Sequence, residues 1–213
     1  PGARRGLVPT RAWRQAQGKP WSIGDTIVHG IGQGFYQLTP LSLAVMTARL
    51  ATGRAVQPHL TRAIGGRPVR GSRAEDWPSI GIPDSDLRLI REAMWGVVNG
   101  GGTAGASRLP SQYGQMAGKT GTTQNNTDGW FILMHPNIVA GAWVGFNDNR
   151  ITMPDSWGQG ARSALPIVGE FFQRGLRSGV NGTPCFFING QRFDPRGGFE
   201  SLLDAVGQLV ERT

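Results

Sequence analysis

Between residues 39 and 53 the apolar positions recur at helical spacing, through Leu41, Leu43, Ala44, Met46 and Leu50, with Thr47 among them. Thr39 precedes this stripe, Pro40 opens it and Gly53 follows it. A hydroxyl residue before Pro marks a helix start, and Gly marks a helix end, so a helix is predicted here. A second is predicted over residues 84–98, where Leu87, Ile90, Met94, Trp95 and Val98 form one stripe before the stop signal Asn99-Gly100-Gly101-Gly102. The period then changes. Residues 115–122, 129–134 and 138–146 are short apolar runs bounded by turn residues, which predicts strands. The last two are joined by His135-Pro136-Asn137, a connection of hairpin length. A helix over 161–176 follows, with Pro166 in its first turns. Helices, then an antiparallel sheet, then a helix predict an α+β domain: an antiparallel sheet flanked by helices. Residues 1–37, rich in Gly, Pro and Trp, read as loop, and 65–83 as a Gly/Arg/Pro-rich connection.

The end of the chain has a different pattern. Cys185-Phe186-Phe187-Ile188 and Gln191-Arg192-Phe193 flank Asn189-Gly190, which predicts a hairpin with an Asn-Gly turn. Residues 199–212 place Leu202, Leu203, Val206, Leu209 and Val210 at the spacing of a final amphipathic helix. No internal repeat is visible.

Composition narrows the class. The 213 residues (22.9 kDa) suit one domain, or one domain with an appendage. With 38% hydrophobic and 17% charged residues, the chain is too apolar for intrinsic disorder. No apolar run reaches the roughly 18 to 20 residues that cross a bilayer. The opening Pro1-Gly2-Ala3-Arg4-Arg5, without Met, reads as a start in mid-protein, so a fragment is expected. A net charge of +8 invites a nucleic-acid partner. Yet Lys19 and Lys119 are the lysines, and the arginines are scattered rather than banked on one face. A coding bias accounts for such an excess, and no nucleic-acid partner is expected. Cys185, the single Cys, excludes an internal disulfide framework and a multi-thiolate zinc site.

The strongest chemical signal is Lys119-Thr120-Gly121-Thr122-Thr123 at the end of a predicted strand. An ammonium followed by small hydroxyl residues suits a substrate carboxylate: a point charge beside directional donors. Gly121 admits close approach to the backbone, and the amide after it is placed to face a developing oxyanion. An edge strand with an exposed Lys and a Gly-dependent bulge would read the same way. Other candidates are weaker. Gly32-Gln33-Gly34 lacks the preceding strand and third Gly of a dinucleotide loop and reads as a tight turn. Trp130 and Trp143 read as core, Asp128 and Asp148 as turn residues. His29, His59 and His135 lie far apart, and no metal site or cofactor is expected.

Lys119-Thr120-Gly121-Thr122-Thr123, Asp128-Gly129-Trp130-Phe131 and Ala142-Trp143-Val144-Gly145, in that order, resemble the transpeptidase domain of penicillin-binding proteins. Upstream, Pro20-Trp21-Ser22-Ile23-Gly24-Asp25 and the run from Ile31 to Pro40 resemble the class B, elongation type, penicillin-binding protein 2. Trp143 to Arg150 and Ala161-Arg162-Ser163 lean towards class A enzymes. The resemblance covers roughly residues 8–175 and gives residues 1–176 as a partial transpeptidase domain. It implies acyl transfer through serine at the D-Ala-D-Ala end of peptidoglycan stem peptides. It also implies β-lactam binding, a periplasmic site at the inner membrane and a membrane-anchored cell-wall synthesis machinery as partner. By the same resemblance, Lys119 and Thr122 are catalytic. Lys119, Thr120, Gly121, Thr122 and Thr123 bind substrate, and the Thr122 N–H joins the oxyanion hole. The family's Ser-x-x-Lys and Ser-x-Asn motifs are missing: Ala16 stands three before Lys19, and Met116 three before Lys119. No nucleophile is present, and these 213 residues alone are expected to be inactive.

Residues 177–213 resemble the C-terminal end of a DsbA-like thioredoxin fold, in which Thr183-Pro184 would be the cis bond beside the redox site. No Cys-x-x-Cys pair accompanies it, and Cys185 reads as a buried strand residue. Two alternatives to the transpeptidase reading stand: a thiol-disulfide oxidoreductase piece, and a non-catalytic D-Ala-D-Ala peptide-binding module that pairs ligand along the Lys119 edge.

Overall fold

The computed structural model describes residues 6–59, 61, 63–68, 73–109, 116–136, 138–148 and 150–177, with the strands over 186–188 and 191–193. The expected loop over residues 1–37 is corrected by two short helices, α1 (Arg11–Ala16) and α2 (Ile23–Gly30). Their caps define them. Thr10 Oγ1 accepts from the Trp13 amide at 3.1 Å. Ser22 Oγ accepts from the Asp25 amide at 3.0 Å, while Asp25 Oδ2 accepts from the Ser22 amide at 2.8 Å. This is a capping box, which satisfies donors that no helical carbonyl reaches. Helices this short do not hold alone in water, so tertiary contacts complete them. The Arg14 guanidinium lies 4.5 Å over the Phe35 ring, and a backbone bridge ties Leu7 to Gln37.

Helix α3 (Pro40–Thr52) confirms the predicted start and stop. Thr39 and Ser42 form a reciprocal capping box, Pro40 occupies the first turn, and Gly53 ends the helix at φ 70°. The connection after it contains a small hairpin, β1 (Ala63–Ile64) with β2 (Arg67–Pro68). Helix α4 (Asp84–Asn99) carries Asp84 and Asp86 in its first turn, where carboxylates suit the positive end of the helix dipole. Asn99 Nδ2 at its other end donates to the Met116 carbonyl at 2.8 Å, fastening α4 to the entry of the sheet.

The sheet is antiparallel, in the order β3 (Ala117–Thr122), β4 (Asp128–His135), β5 (Ile138–Gly145). Being central, β4 buries side chains on both faces, Phe131 and Leu133 on one and Ile132 and Met134 on the other. Phe131 and Leu133 join Val98, Met116, Leu165 and Val168 in the core cluster. Helix α5 (Ala164–Arg177) packs against β4 and β5, and α3 also contacts both strands. The helix predicted over 161–176 thus begins at Ala164. Starting there puts Pro166, which has no N–H, in the first turn, where a missing donor costs nothing. The α+β architecture predicted from the sequence is the one observed.

Strands β6 (Phe186–Ile188) and β7 (Gln191–Phe193) pair antiparallel, with Phe186 opposite Phe193 and Ile188 opposite Gln191, as expected for the terminal hairpin. The Asn189-Gly190 turn, Thr183-Pro184, Cys185 and the helix expected over 199–212 lie outside the described residues.

Candidate functional site

Strand β3 stands at the edge of the sheet, and Lys119 to Thr122 pair across β4 with Ile132, Phe131, Trp130 and Gly129. Lys119 is exposed, and its Nζ donates to the Thr120 carbonyl at 2.6 Å. The Thr120 hydroxyl lies 2.8 Å from that of Thr103, on the turn that follows α4. At Gly121 a Cβ would come within 3.3 Å of Trp130 Cβ, so the missing side chain gives the cross-strand indole its room.

Thr122 is fixed by two remote segments. Its Oγ1 accepts from the Gly160 amide at 3.0 Å, leaving its own O–H proton to donate. Its carbonyl accepts from Gln33 Nε2 at 3.3 Å. Gln33 Oε1 in turn accepts from Gln124 Nε2 at 2.6 Å, which ties the β3–β4 connection to the same side chain. The turn presenting Gln33 has Gly32 at φ 74° and Gly34 at φ 93°, left-handed values that favour glycine. Gly32-Gln33-Gly34 is therefore the expected tight turn, and it also brings Gln33 to the sheet.

Thr123 belongs to the turn more than to the edge. Its hydroxyl lies 2.7 Å from that of Thr127 and accepts from the Asp128 amide at 2.8 Å. The Asp128 carboxylate accepts from the Thr127 hydroxyl at 3.1 Å and from Trp143 Nε1 at 2.8 Å. Asp128 thus anchors the connection after Thr122 to β5. Trp130 and Trp143 sit opposite each other with ring centroids 6.1 Å apart, both half-buried. Asn125 and Asn126 take left-handed φ values of 59° and 55°, and Asn126 Nδ2 donates to Asp155 at 2.6 Å. The segment before α5 is thereby held over this end of the sheet. A Cβ on Gly160 would run into the Gly121 carbonyl and the Trp130 backbone.

The remaining candidates are not assembled here. His29 Nε2 lies 2.6 Å from the Tyr36 hydroxyl, in an aromatic cluster with Trp21. Exposed His59 has Gln57 as its partner, and His135 lies at the opposite end of β4 from Asp128. No group of metal-ligating side chains forms among the described residues. Asp148 is chelated by Arg150, at 2.9 Å to Nε and 2.6 Å to the terminal nitrogen. Those hydrogen bonds hold its carboxyl below the usual carboxylate range. Asp128 and Asp148 therefore serve different partners. The sequence reading gave Gln33 no part beside β3. The available signal was a long amide side chain between two glycines.

A family model described as "Penicillin binding protein transpeptidase domain" matches residues 1–146. The chain is 31% identical over 179 residues to the peptidoglycan D,D-transpeptidase MrdA of Haemophilus influenzae, covering 76% of this chain and 27% of that protein. To MrdA of Acinetobacter baumannii it is 40% identical over 128 residues, covering 58% of this chain and 19% of that one. A crystal structure of Pseudomonas aeruginosa PBP2 in complex with WCK 5153 superposes with a TM-score of 0.59 at 29% identity, covering 90% of this chain and 39% of that one. The chain thus spans about a quarter or less of the curated relatives named here. No helix among the described residues is long and apolar enough to cross a membrane.

Proposed function

Because this chain belongs to the penicillin-binding protein transpeptidase family, in its class B branch, we propose that it is the β3-bearing part of a peptidoglycan D,D-transpeptidase acting at the periplasmic face of the inner membrane. The observation that carries the reading is the Lys119–Thr122 edge: an exposed ammonium on a strand that pairs only with β4 among the described residues, ending at a threonine held from two sides. In this reading Lys119 attracts the terminal carboxylate of a D-Ala-D-Ala stem peptide, and the Thr122 hydroxyl donates to it. The peptide lies along β3 as an added strand, with Thr120, Gly121 and Thr123 shaping the groove. A serine Oγ attacks the penultimate D-Ala carbonyl, the terminal D-Ala leaves with a proton, and an amine of a second stem peptide then takes the acyl group. The Thr122 N–H stabilises the oxyanion. β-Lactams acylate the same serine. The serine is not among these 213 residues as a Ser-x-x-Lys motif, so their own contribution is recognition of the substrate carboxylate. Cell-wall synthesis proteins of the membrane are the partners, and residues 177–213 form a unit separate from residues 1–176.

A calorimetric titration with diacetyl-L-Lys-D-Ala-D-Ala tests this. The 213-residue chain should bind saturably, and Lys119→Ala and Thr122→Val should each weaken binding at least about tenfold. Fluorescent penicillin should leave no label that survives denaturation. Absence of saturable binding would remove the reading. Covalent labelling of any serine here would show that the nucleophile had been missed.

The exposed Lys119 edge also suits a second reading, a peptide-binding module without acyl transfer. It wins if the complete gene product binds the peptide yet is never acylated.

A further inference from the structure

The opposite end of β3 borders a cavity of about 430 Å³, a size typical of small-molecule sites. It lies where the last residues of α3 (Ala51 and Thr52), the Arg91–Trp95 side of α4 and the Ala117–Met134 pair of the β3–β4 ladder meet. Arg91 and Trp95 are one helical turn apart and so stand together on α4. Ala117 is five strand steps from Thr122, about 17 Å, and two from Lys119, about 7 Å on the same face, so the cavity adjoins the Lys119 end of the candidate peptide site and is centred away from Thr122.

Arg91, Glu92 and His135 all line the cavity, and among the described residues Arg91 makes no ion pair with Glu92. The half-buried guanidinium of Arg91 donates through Nε to the Leu50 carbonyl at 2.8 Å. Among the described residues the ion pairs join Arg14 to Asp25, Arg150 to Asp148, and Arg174 and Arg177 to Glu170, and none involves Arg91. Its terminal nitrogens therefore remain as a forked donor of the shape that fits a carboxylate. A partly desolvated cation gains from such an anion more than an exposed one does. Trp95, 39% exposed, offers an indole face close by, and Met134 offers a polarisable apolar surface. Exposed Glu92 in the same lining opposes any anion there and a dianion such as phosphate most, so Arg91 must offset it for a monocarboxylate to bind.

We propose that this cavity is a second ligand site that takes a small amphipathic monocarboxylate, its anion on the free fork of Arg91 and its planar apolar body against Trp95 and Met134. The site is independent of the transpeptidase reading.

The test is calorimetric titration of the 213-residue chain with 2-naphthoate, and with 2-naphthylmethanol as its uncharged counterpart. Naphthoate should bind saturably with a dissociation constant of roughly millimolar or below, and the alcohol at least about tenfold more weakly. Arg91→Gln should remove that preference, leaving the alcohol unaffected, and Trp95→Ala should weaken both probes. Amide and indole NMR shifts of the unmutated chain check the location without any variant. They should move at Trp95, Ala117 and Met134 and stay in place at Thr122. Equal affinity for the two probes, an unchanged naphthoate constant in Arg91→Gln, or shifts confined to the Lys119–Thr122 edge would each overturn the proposal.

Discussion

Thr122 is held through its carbonyl by Gln33 and through its hydroxyl by the Gly160 amide, from segments on either side of β3 in the chain. That explains how a strand with no further partner beyond it among the described residues keeps its last residue in register. Gln33→Ala removes the donor to Thr122 and the acceptor for Gln124 together. The expected cost is about 1 kcal/mol of stability. Peptide affinity should fall about threefold to tenfold, as the end of β3 loosens. Gln124→Ala removes only the outer bond and should cost less on both measures, read by urea unfolding and by titration. Equal losses in the two variants would show that the carbonyl bond to Thr122 contributes little. At this scale the sequence was legible where chemistry is local. Lys119-Thr120-Gly121-Thr122 announces itself because charge, hydroxyls and glycine are contiguous. Gln33 does not, because its bond to Thr122 spans 89 residues and no local pattern encodes it.

Helix α3 and the strands were legible as elements because each carries its own period, start and stop. α1 and α2 were not. They run for 6 and 8 residues, too short for a repeating stripe, and Ile23 and Ile27 of α2 stay exposed instead of facing a core. Only their caps mark them, Thr10 and the Ser22/Asp25 pair. The cap of α3 should be measurable: Thr39→Ala breaks its box and is expected to cost about 1 kcal/mol in thermal or urea unfolding, while Thr39→Ser should retain most of it. On α5, Glu170 accepts from Arg174 at 2.7 Å and from Arg177 at 3.1 Å. The Arg174 hydrogen bond leads in holding its carboxyl below the ordinary value of 4.5. A carboxyl with a lowered folded value stabilises the fold above its unfolded value, and that contribution is lost as pH falls through the folded one. The stability from this pair should thus be complete above about pH 4.5 and decline below it. Glu170→Gln should be less stable than the parent at pH 7, with the gap closing in acid, as read from thermal melts. A gap independent of pH would assign the effect to packing.

For the whole molecule, the order of the periods fixed the fold class, but the layering had to be seen. Nothing in β4 itself tells that α5 and α3 both pack against it, since a run such as Phe131-Ile132-Leu133-Met134 fits a strand buried on either or both faces. The proposed division at residue 177 belongs to this scale, and the core gives a reason to expect it. Leu165 and Val168 of α5 already close the sheet, with Phe172 packed beside them. The hairpin β6–β7 pairs within itself. Ile167 and Phe171, one turn apart on α5, are 54% and 57% exposed. A chain ending at Arg177 should therefore melt within about 2 °C of the full one, a shift of at most about 1 kcal/mol for a domain of this size. It should also bind the D-Ala-D-Ala peptide equally well. A drop of several degrees, relieved in the full chain but not by Ile167→Ser with Phe171→Ser, would mean that the last residues cover that face and belong to the same cooperative unit.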